Sequence, residues 1–189
     1  MKRDTLKYIC LGLIAVILVF ANTMMVYKTF FAKNRLNPVY KKPVNVTNAQ
    51  IHHYVDSLFV HKDSLRIVED DIMSNKRIII ENGDTLGFAF IVYEPIPCPS
   101  CSDVNYILLV DNLYTIKNIV FLREIVEDYK IVQEDSIMVF INQFLNNNLL
   151  RVDFGNNIPI GKPKKHSKYF LISMNSIQKQ VRLFNESKY

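Results

Sequence analysis

Two cysteines separated by two residues are the side chains best suited to chemistry in this sequence. Cys98 and Cys101 lie in "EPIPCPSCSDVNYILLV", between a proline-rich bend and an apolar run. A pair at this spacing can be a thiol redox couple, one half of a zinc site, or a disulfide bridge. The segments that surround the pair have to distinguish these three chemistries.

The residues after Cys101 predict a strand, whereas a thioredoxin-type pair needs a helix N-terminus to stabilise its thiolate. A structural zinc site needs four ligands. The sequence offers no second cysteine pair, only carboxylates and the histidines His52, His53, His61 and His166. We therefore favour a disulfide with a structural or redox role, which an oxidising compartment permits, with a free dithiol as the alternative. We assign no metal and no catalytic side chain.

The N-terminal segment indicates which compartment the cysteines occupy. Residues Tyr8 to Tyr27, "YICLGLIAVILVFANTMMVY", carry no charge over 20 positions, about the length that crosses a bilayer core. Lysines and an arginine precede them, which favours a cytoplasmic N-terminus. A cleaved signal peptide is the rival interpretation, because Val19 and Ala21 could form its cleavage site. We expect an uncleaved anchor, since the apolar run continues beyond both residues.

The expected organisation is a membrane anchor over 1–33, a linker over 34–47 and one folded domain over 48–189. Pro38 and Pro43 keep the linker extended. The domain would then face the periplasm of a bacterial inner membrane. The net charge is +5, but no nucleic-acid motif is present, so the membrane is the expected partner and nucleic acid is not.

Local patterns within the domain predict an antiparallel α+β fold. Thr47 and Gln50 form a capping box that opens a helix. On that helix His52, His53 and Asp56 fall on the polar face, which we interpret as solvated and not as a metal site. The later elements are hairpins over 76–93 and 104–122, a helix over about 135–147, a polar loop over 153–168 and a closing helix with Ser173 as its N-cap.

Four stretches of this domain resemble the FMN-binding domain of membrane electron-transfer systems. They are "GDTLGFAFIVYEP", "VNYILLVDNLYTIKNIVFLREI", "INQFL" and "FLISMNSIQKQV". The family occurs in subunits of the Rnf complex, of the sodium-pumping NADH:quinone reductase and of nitrous-oxide regulatory proteins. Gly87 and Phe88 match its opening strand, and Asp111 and Ile116 match its "D-x-x-G-x-I" turn. "SMNSIQKQV" matches its closing "D-x-x-S-G-A-T" motif.

The resemblance implies FMN as the cofactor. Ser173 and Ser176 would meet the flavin phosphate at a helix N-terminus, where amides and the helix dipole favour an anion. Lys165 and Lys168 of the preceding loop would lie nearby, and Gly87 would belong to the flavin site.

The closing motif departs from the family, which attaches FMN to its serine or threonine through a phosphoester. Met174 and Asn175 replace the Gly and Ala of the motif, and Phe170 replaces its Asp. Non-covalent binding is therefore expected instead of covalent attachment.

The leading functional hypothesis is a membrane-anchored FMN-binding-like domain that acts in electron transfer or as an accessory subunit of a membrane redox complex. Two alternatives stay open. One is a non-enzymatic accessory protein that keeps the flavin fold and binds a partner membrane complex. The other is a thiol redox sensor that uses Cys98 and Cys101.

Overall fold

A computed structural model of the chain describes Ile14 and residues 16–26, 39–58, 64–154 and 164–186. The chain divides into two compact units, Met1–Pro38 and Val39–Tyr189. In the first unit, helix α1 contains Ile14 and residues 16–26, all exposed. The rest of the predicted span Tyr8 to Tyr27 lies outside the described residues. Within the part of the chain that is described, no helix has the length and apolar character needed to cross a membrane.

The second unit opens with an extended segment and helix α2 (Asn48–Asp56), whose predicted capping box is confirmed. The Thr47 hydroxyl accepts from the Gln50 amide at 3.3 Å, and the Gln50 side chain accepts from the Thr47 amide at 2.9 Å. Residues 39–47, expected as linker, contact the sheet domain, since the amide of Asp103 donates to the carbonyl of Tyr40.

A five-stranded antiparallel sheet forms the centre of this unit, as the predicted α+β class requires. Its strands follow chain order, so that each hairpin places the next strand beside the last. They are β1 (Leu65–Glu69), β2 (Lys76–Glu81), β3 (Asp84–Glu94), β4 (Val104–Asp111) and β5 (Ile116–Phe121). The predicted hairpins are confirmed as β2–β3 and β4–β5. Asn82 and Gly83 make the first turn with φ of 51° and 92°, the conformation that an Asn-Gly turn favours.

Both faces of the sheet are covered, and the central strand β4 divides its side chains between them. Tyr106 and Leu108 point into a core under the later helices, whereas Ile107 and Leu109 point into a core under α2. All four are fully buried, and each such side chain contributes about 2 kcal/mol of hydrophobic free energy. Burial on both faces explains why β4 is a continuous apolar run without alternation.

The structure corrects three of the predicted elements before the last helix. Strand β1 was not predicted, because it is a short, charged edge strand. A small hairpin, β6 (Val126–Glu127) and β7 (Lys130–Ile131), was also missed, because its turn contains no glycine. Helix α3 is Glu134–Asn142, shorter than predicted, and turns follow it.

The prediction for the last helix was wrong at its start. Helix α4 is Lys164–Glu186, so Ser173 is not its N-cap but lies near its middle. The buried face of its first turns contains His166 and Ser167 before the apolar Phe170 and Met174. Two polar residues on that face concealed the helical repeat in the sequence.

Candidate functional site: the cysteine loop and the start of helix α4

The cysteine pair lies in the loop between β3 and β4 and is disulfide-bonded, with its Cα atoms 5.3 Å apart. A tight turn closes the loop, because the Cys101 amide donates to the Cys98 carbonyl at 3.2 Å. Cys101 is fully buried, whereas Cys98 is partly exposed. Of the two cysteines, Cys98 is therefore the one that a partner molecule can contact.

A buried carboxylate fixes both ends of this loop. Asp103 accepts from the Ile96 amide at 2.9 Å and from the Lys41 ammonium at 3.1 Å. Lys41 also donates to the Ile96 carbonyl at 2.8 Å. The Tyr93 hydroxyl donates to the second Asp103 oxygen at 2.8 Å, and this bond raises the pKa of Tyr93. The loop geometry is thus set by strand ends and does not depend on the disulfide alone.

The β6–β7 hairpin packs against the same loop. The Ser102 amide donates to the Val126 carbonyl, and the Tyr129 amide donates to the Ser100 carbonyl, both at 2.9 Å. Asp128 and Tyr129 make the hairpin turn with φ of 49° and 60°. This turn directs the Asp128 carboxylate to the Ser100 hydroxyl, which lies 3.1 Å away.

Glu127 of β6 caps the N-terminus of α4. Its carboxylate accepts from the Lys165 amide at 2.9 Å and from the His166 amide at 3.2 Å, which satisfies two of the free amides of the first turn. The same oxygen lies 3.1 Å from His166 Nδ1, and His166 Nε2 lies 2.8 Å from the Ser102 carbonyl. Contacts at both ring nitrogens, to the Glu127 carboxylate and to the Ser102 carbonyl, therefore fix the orientation of the buried His166 ring.

The cap brings a cation to the accessible sulfur. Lys165 Nζ lies 3.8 Å from Cys98 Sγ and 2.8 Å from Asp128 Oδ1. The Lys165 hydrogen bond lowers the pKa of Asp128, and the Asp128 partner raises the pKa of Lys165. The Ser100 hydroxyl lies 3.4 Å from the same sulfur. An ammonium and a hydroxyl next to Cys98 are the groups that stabilise a thiolate.

Sequence reasoning placed the cysteines correctly on a loop before a strand, but it missed what surrounds them. It assigned Lys165 to a flavin phosphate, and it did not single out Glu127 or Asp128. Glu127 ends β6 and Asp128 begins the β6–β7 turn, far in sequence from both the cysteines and α4. The adjacent acidic residues in "EDYK" were the available signal, but they give no indication of their partners.

The residues predicted to hold FMN do not converge on one helix N-terminus. Ser173 is buried, and its hydroxyl lies 2.7 Å from the Tyr106 hydroxyl while it donates to the Phe170 carbonyl at 2.8 Å. Ser176 is exposed on α4, as is Lys168 one turn after the helix start. The argument from amides and the helix dipole therefore applies to neither serine, since both lie well inside the helix.

Gly87 has a structural explanation that involves no cofactor. A Cβ at this position would lie 2.2 Å from the Val110 carbonyl of the neighbouring strand, so only glycine permits the β3–β4 pairing there.

Tyr114 takes the place of the glycine in the "D-x-x-G-x-I" turn and has φ of 62°, a conformation that glycine adopts readily. Asp111 organises this turn by accepting from the amides of Leu113 and Thr115.

Two grooves on the second unit are relevant to the sequence predictions. One, of about 320 Å³, runs between β3 and α4 and is lined in part by Glu94, Ser173 and Ser176. The other, of about 430 Å³, is lined by His52, His53 and Asp56 beside Ile67. His52 Nδ1 lies 3.0 Å from the Asp56 carboxylate, so these two side chains bind each other at the surface of α2.

Comparison with protein-family models and with curated proteins gave no match for this chain.

Proposed function

We propose that the protein is a thiol–disulfide redox protein whose working group is the Cys98–Cys101 pair. The single observation that carries this proposal is the contact of Lys165 Nζ with Cys98 Sγ at 3.8 Å, next to a second sulfur that is fully buried. An accessible sulfur beside a cation and a shielded sulfur beneath it are suited to the two roles of an exchanging pair.

The reductant in this exchange is a dithiol of a protein partner. A partner thiolate attacks Cys98 Sγ, which forms a mixed disulfide and breaks the bond to Cys101. Cys101 leaves as a thiolate and takes up a proton. The second partner thiolate then attacks the partner sulfur of the mixed disulfide and releases the Cys98 thiolate beside Lys165. Two electrons pass from the partner dithiol to the cysteine pair, and the partner becomes the disulfide.

Trapping of the mixed disulfide tests these roles. Cys101→Ser removes the buried thiol and should leave Cys98 able to form a stable adduct with a partner disulfide. Cys98→Ser should form no adduct at Cys101, because Cys101 is buried, and both variants carry Cys10→Ser so that Cys10 does not react with the probe. Equal trapping by both variants, or by neither, would contradict the proposal. The probe is a small aromatic disulfide reagent, whose released chromophore reports each event.

FMN binding in an electron-transfer protein is the second candidate function. The observation that favours it is the groove of about 320 Å³ beside the exposed Ser176. Protein purified from its native host should then show flavin absorption in the visible, and denaturation should release the flavin. A colourless protein that takes up no added FMN would exclude this candidate.

The cellular setting belongs to the same proposal. An uncharged segment from Tyr8 to Tyr27 anchors the chain in the inner membrane, with the redox domain on the periplasmic side and a membrane redox complex as its partner. An oxidising compartment is where a two-cysteine bridge is maintained and where its exchange partners occur.

A further inference from the structure

We propose that Cys98, Cys101 and Asp128 bind a thiophilic divalent cation, with Zn²⁺ as the test ion, when the cysteine pair is reduced. Disulfide formation then abolishes the site. This site differs from a four-ligand structural zinc site, which histidines or carboxylates elsewhere in the sequence would have to complete. The inference rests on the proposed function in one respect, because the disulfide must open in the folded protein.

The donor atoms of these three residues already lie together. One atom from each residue, two sulfurs and a carboxylate oxygen, lies within 4.8 Å of both others. Thiolate and carboxylate are zinc ligands, and three protein ligands with one open position make an accessible zinc site. His166 does not take part, since Glu127 and the Ser102 carbonyl occupy its ring nitrogens.

The loops that carry the ligands are joined before any ion binds. Backbone hydrogen bonds of 2.9 Å link Ser102 to Val126 and Tyr129 to Ser100, across the cysteine loop and the hairpin that bears Asp128. Asp103 holds the other side of the cysteine loop. Reduction separates two sulfurs within a fixed loop, so little chain entropy is lost when the cation binds.

A cation already lies beside two of the three donors. Lys165 Nζ lies 2.8 Å from Asp128 Oδ1 and 3.8 Å from Cys98 Sγ. Its side chain is about half exposed, at 48%, so the ammonium can move into solvent when a metal ion takes its place. Two thiolates and a carboxylate carry three negative charges, one more than a divalent ion neutralises. The Lys165 ammonium at the edge of the site can offset the remaining charge.

The test is a Zn²⁺ titration of the full chain against a chromophoric chelator, after phosphine reduction under argon. Free thiols are counted in parallel. The reduced protein should bind one more Zn²⁺ than the Cys98→Ala/Cys101→Ala double variant, which retains Cys10 and all histidines. The oxidised protein should bind no more than that variant. Asp128→Asn should weaken Zn²⁺ binding at least about tenfold, because changes to residues around a metal site, beyond its ligands, already reduce metal affinity by about that factor. Asp84→Asn, which removes an exposed carboxylate from the turn end of β3, should not.

The outcomes separate the two proposals. If the two thiols appear but no additional Zn²⁺ binds, or if Asp128→Asn binds like Asp84→Asn, the metal site is overturned and the redox function stands. If no thiols appear without denaturation, both proposals are overturned.

Discussion

At the residue scale, Lys165 is the side chain that we expect to control the reactivity of Cys98. Its ammonium is the only charged nitrogen that the described residues place within hydrogen-bonding reach of that sulfur. Asp128 competes for the same ammonium at 2.8 Å. The Asp128 carboxylate therefore partly neutralises the cation that lies beside the sulfur.

Replacement of Lys165 by Met should slow alkylation of Cys98 in the reduced protein at pH 7. One pKa unit changes the thiolate fraction about tenfold. The greater nucleophilicity of a more basic thiolate offsets part of this loss, so the expected decrease is about threefold. Mass spectrometry of the Cys98 peptide during timed iodoacetamide labelling gives the rate. Lys168→Met, exposed one turn later on α4, is the matched control and should not change it.

A second residue-scale feature is the buried ion pair Asp70–Lys76, whose N–O distance is 2.9 Å. Burial alone would raise the pKa of Asp70. Hydrogen bonds from Lys76 and from the amides of Met73 and Ile72 outweigh it and hold that pKa below its usual value. Lys76 Nζ also lies over the Phe88 and Phe184 rings, at 4.5 and 5.0 Å. Lys76 therefore connects the start of β2 to the end of α4 through its contact with Phe184.

The free energy of unfolding should fall as the pH decreases below about 4. Because the folded pKa of Asp70 is lower than the unfolded value, its contribution is complete above the unfolded pKa and disappears as pH falls through the folded pKa. Asp70→Asn should destabilise the protein by about 3 kcal/mol or more at pH 7, since it leaves a buried ammonium unpaired. The same replacement should also reduce the loss of unfolding free energy at low pH. Urea unfolding between pH 3 and 7 measures both, and Asp84→Asn should match the parent protein.

At the element scale, helix α4 connects the core to the cysteine loop. Its middle turns pack Phe170 and Met174 under the sheet, and its first turn supplies Lys165 to the site. Glu127 fixes where that first turn begins. A shift of the helix would move both the core contacts and the cation at Cys98.

The two serines of α4 should respond differently to replacement. Ser173→Ala removes the buried partner of the Tyr106 hydroxyl and should destabilise the fold by about 1–3 kcal/mol. Ser176→Ala removes an exposed hydroxyl and should change stability by less than about 0.5 kcal/mol. Chemical denaturation compares them directly. If Ser176→Ala were the more destabilising change, the position assigned to α4 would be contradicted.

The sequence was sufficient for elements whose signals are local. The Thr47–Gln50 capping box, the Asn82–Gly83 turn and the apolar run of β4 each carry their own signature, and each was predicted. The start of α4 was not, because a buried His166 and a carboxylate from a distant strand define it. Asp128 was missed for the same reason, since its proximity to Cys98 depends on a small hairpin that only tertiary contacts reveal.

At the scale of the whole molecule, the proposal combines a membrane anchor with an extracytoplasmic redox domain. If Tyr8 to Tyr27 is an uncleaved anchor, the protein should stay in the membrane fraction after a carbonate or high-salt wash, because such treatment removes only electrostatic attachment. Immunoblotting of the fractions tests this. A soluble form with a new N-terminus near Asn22 would show that the segment is a cleaved signal peptide.

Whether Cys98 and Cys101 form a working redox pair can be measured by a redox titration of the folded full chain in glutathione buffers of graded potential, read by thiol labelling and mass spectrometry. We predict that Cys98 and Cys101 interconvert reversibly between disulfide and dithiol in one two-electron step, and that the fold is kept in both states. If the pair stays oxidised until the protein unfolds, the redox function is excluded, because the disulfide then has only a structural role.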